Sequence, residues 1–97
     1  MKFAPEVEIE IKEEVEVDVE AVKLYAIVVF NDEVNTFDHV IDTLIEVCGH
    51  SFEQAEQCTL IIHFKGKCSV KNGDFDDLKP IRDAICERGI SAEILLR

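Results

Sequence analysis

The chain has 97 residues, 47% of them hydrophobic, and these values are typical of one small globular domain. A formal net charge of -11, from 21 acidic and 10 basic residues, opposes binding to phosphate backbones and anionic lipid headgroups. We therefore expect neither a nucleic-acid-binding nor a membrane-binding protein. A domain of this size also has no room for the deep cavity of a large multi-substrate enzyme.

The four cysteines form no CxxC pair and no cysteine–histidine cluster at zinc spacing. Cys48, Cys58 and Cys86 fall at apolar helix positions, where a free thiol acts as a small hydrophobic side chain. No signal-peptide pattern follows Met1, and no apolar run approaches the roughly 20 residues that cross a bilayer. The expectation is therefore a cytoplasmic protein with free thiols.

Residues 1–22 differ from the rest in carrying eight acidic side chains and only two lysines. Valine and isoleucine occupy odd positions between the acids, which is the period of a half-buried strand. High charge favours disorder, whereas the alternation favours a strand that forms on contact. We expect residues 1–22 to be a flexible acidic N-terminal extension and residues 23–97 to be the core domain.

The core domain begins with a β-branched and aromatic run, Leu24–Phe30, which predicts a central or doubly covered strand. The polar segment Asn31–Asn35 ends this strand. Apolar residues then recur at helical spacing from Phe37 to Cys48, with Thr36 as the expected N-cap and Gly49 as the expected stop.

A second helix is predicted from the capping box of Ser51 and Gln54. It runs to about Phe64, and Gly66 closes it. Because Leu60-Ile61-Ile62 is apolar nearly all round, we expect this helix to lie in the core.

The remaining sequence predicts a short strand over Lys67–Val70 and a chain reversal at Asn72-Gly73. A third helix follows, marked by apolar positions between Leu78 and Ile85, with Pro80 tolerable only in its first turn. Alternation over Ala92–Leu96 predicts the last strand. The order β-α-α-β-α-β gives an α+β domain in which helices pack on one face of a three-stranded antiparallel sheet.

The segment Asn31-Asp32-Glu33, between the first strand and the first helix, is rich in amide and carboxylate oxygens. An ammonium group carries three donors and no acceptor, so such a cluster of oxygens suits it. An Asx turn with helix capping is the other interpretation of the same residues. The residue pattern alone leaves both open.

His63 follows the apolar end of the second helix, where its ring either finds a structural partner or lies at the edge of a pocket. We expect His39 and His50 to be exposed and assign them no role. The spacing of Asp32, Glu33 and His63 is not diagnostic of a metal site, and no motif activates a cysteine nucleophile. No catalytic residue, metal or cofactor is therefore expected.

Three segments together resemble the ClpS family of adaptors for the Clp ATP-dependent protease. They are Val28–Glu33, the helix Phe37–Leu44, and the stretch Glu53–Lys67, which ends in His-Phe-Lys-Gly-Lys. Order and separations match from Leu24 to Val70, and the remaining chain matches by topology only. The resemblance implies the family's fold and the non-catalytic function of an adaptor.

By this resemblance, the protein would bind the free α-amine of proteins that begin with Leu, Phe, Tyr or Trp and deliver them to a Clp AAA+ unfoldase of the ClpA or ClpC type. The matching positions for the amine are Asn31, Asp32, Glu33 and His63. The matching positions for the first side chain are Asn35, Phe37, Val40, Thr59 and Ile62. The acidic extension corresponds to a family segment that assists delivery.

Two of these positions depart from the family pattern. Glu33 stands where Asp is common, and Phe37 stands where Met is common. We therefore expect reduced tolerance for Trp relative to Leu or Phe, and a more polar pocket wall at Thr59. The main alternative is a protein-interaction scaffold of the same fold without an amine site, and a second is a small hydrolase or metal-dependent enzyme.

Overall fold

The computed structural model describes residues 24–97, so the extension predicted for residues 1–22 lies outside the described part. Six elements follow one another: β1 (Tyr25–Phe30), α1 (Phe37–Cys48), α2 (Phe52–Lys65), β2 (Lys67–Gly73), α3 (Phe75–Glu87) and β3 (Ala92–Leu96). The predicted order β-α-α-β-α-β and the α+β class are thereby confirmed.

The three strands form one antiparallel sheet in the order β2-β1-β3. The β-branched run predicted to be central is indeed the middle strand, with Val29 opposite Cys68 on one side and Ala92 on the other. The register of β1 with β2 shifts between Ile27 and Val28, which leaves Val70 as the extra residue of a β-bulge.

The core lies between the sheet and the helices. Its most deeply buried large side chains include Ile27 of β1, Leu44 of α1, and Leu78 and Ile85 of α3, which are each at most 1% exposed. Burial of these side chains stabilises the domain by roughly 1.5 to 3 kcal/mol each. Within residues 24–97 no helix is both long and apolar enough to cross a membrane.

The helix ends follow the sequence closely. The Thr36 hydroxyl accepts a hydrogen bond from the His39 amide at 3.1 Å, and Gly49 closes α1 with φ of 75°. In α2 the Ser51 hydroxyl accepts from the Gln54 amide while the Gln54 side chain accepts from the Ser51 amide, both at 3.1 Å. These capping predictions are confirmed.

The end of β1 is held by both neighbouring connections. The Phe30 amide donates to the Ser91 carbonyl oxygen at 3.0 Å, and the Asn31 amide donates to the Gly66 carbonyl oxygen at 2.8 Å. The polar turn therefore starts from a fixed point between the α2–β2 and α3–β3 connections.

The chain reversal predicted at Asn72-Gly73 is wrong. Both residues continue β2, where Asn72 pairs with Ala26 and Gly73 pairs with Tyr25. A Cβ atom on Gly73 would lie 3.2 Å from the Leu78 side chain, so this glycine serves the close approach of α3 rather than a turn.

Two predictions for α3 also differ from the structure. The helix begins at Phe75, so Pro80 lies in its second turn, where the ring removes the donor that would bond the Asp76 carbonyl oxygen. Cys86, expected at an apolar position, is exposed, because the helix turns its buried side toward Leu78 and Ile85.

The second helix does not lie in the core as predicted. Its buried residues form a single stripe: Ala55, Thr59 and Ile62. Leu60 is 37% exposed and Phe64 is 76% exposed, because a helix on the outer surface of a two-layer domain buries one side only. The run Leu60-Ile61-Ile62 therefore reflects local apolar composition rather than burial on all sides.

His50 was expected to be exposed, but it is half-buried beside the bulge. Its Nε2 lies 2.7 Å from the Val70 carbonyl oxygen, so Nε2 carries a proton and donates it. His50 thus satisfies a backbone acceptor of the bulged residue.

Candidate functional site

Asp32 organises the turn between β1 and α1. Its Oδ1 accepts hydrogen bonds from the Val34 and Asn35 amides, both at 2.9 Å, and its Oδ2 accepts from the Asn35 Nδ2 at 2.8 Å. This is the Asx turn that the sequence left open as one interpretation. The Asn35 amide, helped by the Val34 amide and the Asn35 side chain, lowers the pKa of Asp32 below its ordinary value, so the carboxylate is charged at neutral pH.

Asn35 and His39 join this turn to the α3–β3 connection. The Asn35 Nδ2 also donates to the Gly89 carbonyl oxygen at 2.9 Å, and the His39 Nε2 donates to the Arg88 carbonyl oxygen at 2.8 Å. The expectation that His39 is exposed is wrong, since it is half-buried and fixes this contact. The residues after α3 are therefore held against the start of α1.

One cavity of about 420 Å³ opens where the end of β1, the polar turn, the start of α1 and the last turns of α2 meet. All nine residues expected from the resemblance line it: Asn31, Asp32, Glu33, Asn35, Phe37, Val40, Thr59, Ile62 and His63. The structure thus brings together residues that lie in two separate stretches of the sequence.

Four further residues line the cavity that the sequence did not indicate: Val29, Phe30, Thr36 and Ile90. Ile90 belongs to the α3–β3 connection and is only 3% exposed. No local signal connects it with the turn around Asp32, because the two are brought together by long-range contacts such as that of Asn35 with Gly89.

The inner wall of the cavity is mainly apolar. Val40, Thr59, Ile62 and Ile90 are each at most 9% exposed. The Thr59 hydroxyl donates to the Ala55 carbonyl oxygen within α2 at 2.7 Å. Because its hydrogen is used inside the helix, Thr59 adds less polar character to the wall than the sequence suggested.

The mouth of the cavity is polar and accessible. Asn31, Glu33 and His63 are all exposed. Among residues 24–97 their side chains have no hydrogen-bonding partner, in contrast to Asp32 and Asn35. Their acceptor atoms therefore remain available at the entrance.

The His63 ring is held by aromatic neighbours. It meets the Phe37 ring edge to face, with centroids 5.1 Å apart and planes at 69°, and meets the Phe64 ring at 4.9 Å and 78°. Such perpendicular arrangements are favourable for aromatic pairs. Phe37 is 41% exposed, so it stands at the edge of the cavity and narrows the entrance beside His63.

This arrangement suits a ligand that combines a small cation with an apolar group. Carboxylate, amide and imidazole acceptors surround the mouth, while the wall behind them is apolar. Within residues 24–97 no three histidine, cysteine or carboxylate side chains are grouped closely enough to hold a metal ion.

Comparison with known proteins identifies the family. The model of the family described as "ATP-dependent Clp protease adaptor protein ClpS" matches residues 20–91. The chain belongs to the ClpS family of Clp protease adaptors. This confirms the resemblance, and the match continues past Val70, where similarity had been expected from topology only.

Curated ClpS adaptor proteins align with part of the chain. The protein from Acetivibrio thermocellus is 35% identical over 57 residues, which are 59% of this chain and 58% of the relative. The protein from Campylobacter jejuni strain 81-176 is 39% identical over 44 residues, 45% of this chain and 46% of the relative. The chain thus spans about half the length of the curated relatives that it matches.

The fold is similar to that of a solved ClpS structure. ClpS2 of Agrobacterium tumefaciens, determined bound to L-phenylalaninamide, superposes with a TM-score of 0.66 at 21% sequence identity. The superposition covers 77% of this chain and 98% of the other. At this identity the likeness concerns the fold.

Proposed function

We propose that this ClpS-family chain binds the free α-amine and the bulky apolar first side chain of N-degron proteins and delivers them to a Clp AAA+ unfoldase. The observation that carries the proposal is the composition of the cavity beside the polar turn, in which polar acceptors at the mouth stand before an apolar wall. A protein N-terminus with an apolar first residue presents two matching groups, an ammonium for the acceptors and an apolar side chain for the wall.

The amine step rests on the acceptors at the mouth. A protonated α-amine offers three donors, and Asp32, Glu33, Asn31 and His63 offer oxygens and an imidazole nitrogen. A carboxylate has about four acceptor positions, and Asp32 uses three of them within the turn. One position on Oδ2 remains for the amine.

Charge favours the same ligand. An α-amine has an ordinary pKa near 7.7 to 8, so a large fraction is charged at neutral pH, and nearby carboxylates raise that fraction on binding. Acetylation removes both the charge and two of the three donors, so it is expected to abolish binding.

The first side chain is expected to enter the apolar part of the cavity beside Val40, Ile62 and Ile90. Transfer of a Leu or Phe side chain out of water would contribute roughly 1.5 to 3 kcal/mol. The ligand of the similarly folded ClpS2, L-phenylalaninamide, combines a free amine with an aromatic first side chain, which supports this choice of ligand.

The alternative function, an interaction scaffold without an amine site, is favoured by one observation. The Asp32 carboxylate already serves the Asx turn, so its presence has a structural reason independent of any ligand. A scaffold would not distinguish a free from an acetylated peptide N-terminus.

The amine proposal is tested by titrating fluorescent peptides that differ only in their first residue (Leu, Phe, Tyr or Trp) and are either free or acetylated. Free peptides are expected to bind, acetylated ones not, and Glu33→Ala and His63→Ala to weaken binding at least about tenfold, or roughly 1.4 kcal/mol. Asp42→Ala is the matched control, since Asp42 is exposed on α1 and does not line the cavity. Equal affinity for free and acetylated peptides would favour the scaffold instead.

Delivery is tested separately, with a reporter protein that begins with Leu and with purified ClpA- or ClpC-type unfoldase, peptidase and ATP. The chain is expected to accelerate degradation of the reporter, and a Glu33→Ala variant to accelerate it less. Tight peptide binding without accelerated degradation would contradict delivery while leaving the amine site intact.

A further inference from the structure

Phe64 is an exposed aromatic residue beside the cavity. It lies in the last turn of α2 and is 76% exposed. It belongs neither to the hydrophobic core nor to the lining of the cavity. A single exposed apolar side chain is ordinary on a protein surface. Phe64 is distinguished by its contact with His63, which stands at the cavity mouth.

Three rings form a row that leads out of the cavity. The His63 ring centroid lies 5.1 Å from that of Phe37 on one side and 4.9 Å from that of Phe64 on the other. Phe37 and His63 line the cavity, whereas Phe64 does not. No ring contact joins Phe37 to Phe64, so the His63 ring separates them. The row therefore continues the aromatic surface of the entrance onto the outside of α2.

An extended peptide held by its α-amine has the right spacing to follow this row. Its side chains alternate in direction, so the first and third point to the same side and stand about 6.5 to 7 Å apart. That separation is smaller than the two centroid distances of 5.1 and 4.9 Å taken together. With the first side chain past Phe37 in the cavity, the third comes within contact range of the Phe64 ring, and the second points to solvent.

Val34 is another exposed apolar side chain near the mouth. It lies in the polar turn, where its amide donates to the Asp32 carboxylate at 2.9 Å, and it follows Glu33 directly. An apolar side chain placed over Val34 would draw water away from these charged groups, which costs free energy. Over Phe64 it would cover an aromatic ring instead, and aromatic pairs attract each other. Phe64 is therefore the better surface for an apolar residue of the peptide.

We propose that Phe64 is a specificity-determining residue that contacts the third side chain of a bound protein N-terminus and selects an aromatic or large aliphatic residue there. This role rests on the proposed function, because the amine site fixes the position of the peptide along the row. The favoured substrates are proteins with apolar residues at both the first and the third position.

The experiment titrates the full-length protein with three fluorescent peptides that begin with Leu and are otherwise identical. The reference has Ala at the second and third positions, and the other two carry Tyr at the second or at the third position only. Tyr at the third position is expected to tighten binding roughly threefold to tenfold, the range typical of an aromatic contact. Tyr at the second position is expected to change affinity by less than about twofold.

Three variants assign the effect to one ring. Phe64→Ala is expected to abolish the gain from the third Tyr while leaving the affinity for the reference peptide within about twofold. Phe64→Tyr keeps a ring at this position and should retain the gain. Phe52→Ala is the matched control, since Phe52 is also exposed on α2 but does not line the cavity. Because Phe64 lies outside the core, its replacement is expected to leave the domain folded.

Acetylated versions of the three peptides separate the two levels of the claim. If free and acetylated peptides bind equally, the proposed amine site fails and the role of Phe64 fails with it. If only free peptides bind but the third Tyr brings no gain, or the gain survives in Phe64→Ala, the role of Phe64 alone is wrong. Loss of the gain in Val34→Ala instead, or an equal loss for all three peptides in Phe64→Ala, would likewise overturn the contact.

Discussion

At the scale of single residues, Asp32 has both a structural reason and a proposed binding role. It accepts three hydrogen bonds inside the turn, and one acceptor position on Oδ2 remains. Glu33 and His63 differ from Asp32, because their side chains form no hydrogen bond with any residue among 24–97. Mutation of Asp32 is therefore expected to change both stability and ligand binding, whereas mutation of Glu33 or His63 is expected to change mainly ligand binding.

Asp32→Ala is expected to lower the free energy of unfolding by about 1 kcal/mol at pH 7, because it removes hydrogen bonds in a largely solvent-exposed turn. The folded-state pKa of Asp32 lies below its ordinary value of 3.8, so this stabilisation is fully present above pH 3.8 and is lost as the pH falls through the folded-state pKa. Urea unfolding of wild type and variant from pH 7 to pH 3 checks this, with Asp42→Ala as a control for net charge. A difference that grows toward low pH would contradict the assignment.

Phe37 is expected to determine how large a first side chain can enter. Its ring stands edge to face against His63 at the entrance, and Met in its place would be flexible. Phe37→Met is therefore expected to improve binding of Trp-initiated peptides relative to Phe-initiated ones by about 1 kcal/mol, or roughly fivefold. Peptide titrations check this prediction, and Trp as the tightest ligand of the wild type would contradict it.

At the scale of secondary-structure elements, Gly66 connects the folding of α2 and β2 with the position of the polar turn. Its φ of 95° ends α2, and its carbonyl oxygen accepts the Asn31 amide at 2.8 Å. Only one residue separates the helix from the strand, so no other position can absorb the change of direction.

Gly66→Ala is expected to lower the free energy of unfolding by roughly 1 to 2 kcal/mol, because an L side chain disfavours this backbone conformation. A Cβ atom at this position meets nothing within 4 Å, so the cost comes from the backbone alone. Gly66→Asn is the matched comparison and should cost less, since Asn tolerates positive φ better. Chemical unfolding of the three proteins checks the order, and equal stability of Ala and Gly at this position would contradict it.

The sequence predicted those elements whose signals are local. Hydrogen-bonded caps at Thr36, Ser51 and Gln54 are short-range chemistry, and they appear where the pattern placed them. The errors arise where tertiary packing decides: Gly73 stays in the strand because Leu78 approaches it, and the apolar end of α2 is exposed because only one layer covers it. The sequence also did not predict Ile90 as a cavity-lining residue, because tertiary packing brings it there.

At the scale of the whole molecule, the family match and the cavity both fall within the core domain. The ClpS match covers residues 20–91, which includes all the cavity-lining residues, whereas nearly all of the acidic extension lies before it. The recognition of Asn31-Asp32-Glu33 with His63 as one site came from the family resemblance, since the residue pattern alone equally suited a capped turn. The structure adds that both stretches line one cavity.

The acidic extension is expected to serve delivery rather than peptide binding. Deletion of residues 1–20 should leave the affinity for a Leu-initiated peptide unchanged, because every cavity-lining residue identified within residues 24–97 is kept. Degradation of a Leu-initiated reporter by the unfoldase and peptidase should slow. Unchanged degradation would mean that the extension contributes only solubility through its charge.

The central claim is that the cavity recognises a free amine attached to an apolar side chain. The most direct measurement is a nuclear magnetic resonance titration of the isotope-labelled full chain with phenylalanine amide and, separately, with its N-acetyl counterpart. We expect the amide signals of Asn31 to Asn35 and the His63 ring signals to shift with the free amine, and not to shift with the acetylated compound. Identical shifts with both compounds, or shifts located away from these residues, would contradict it.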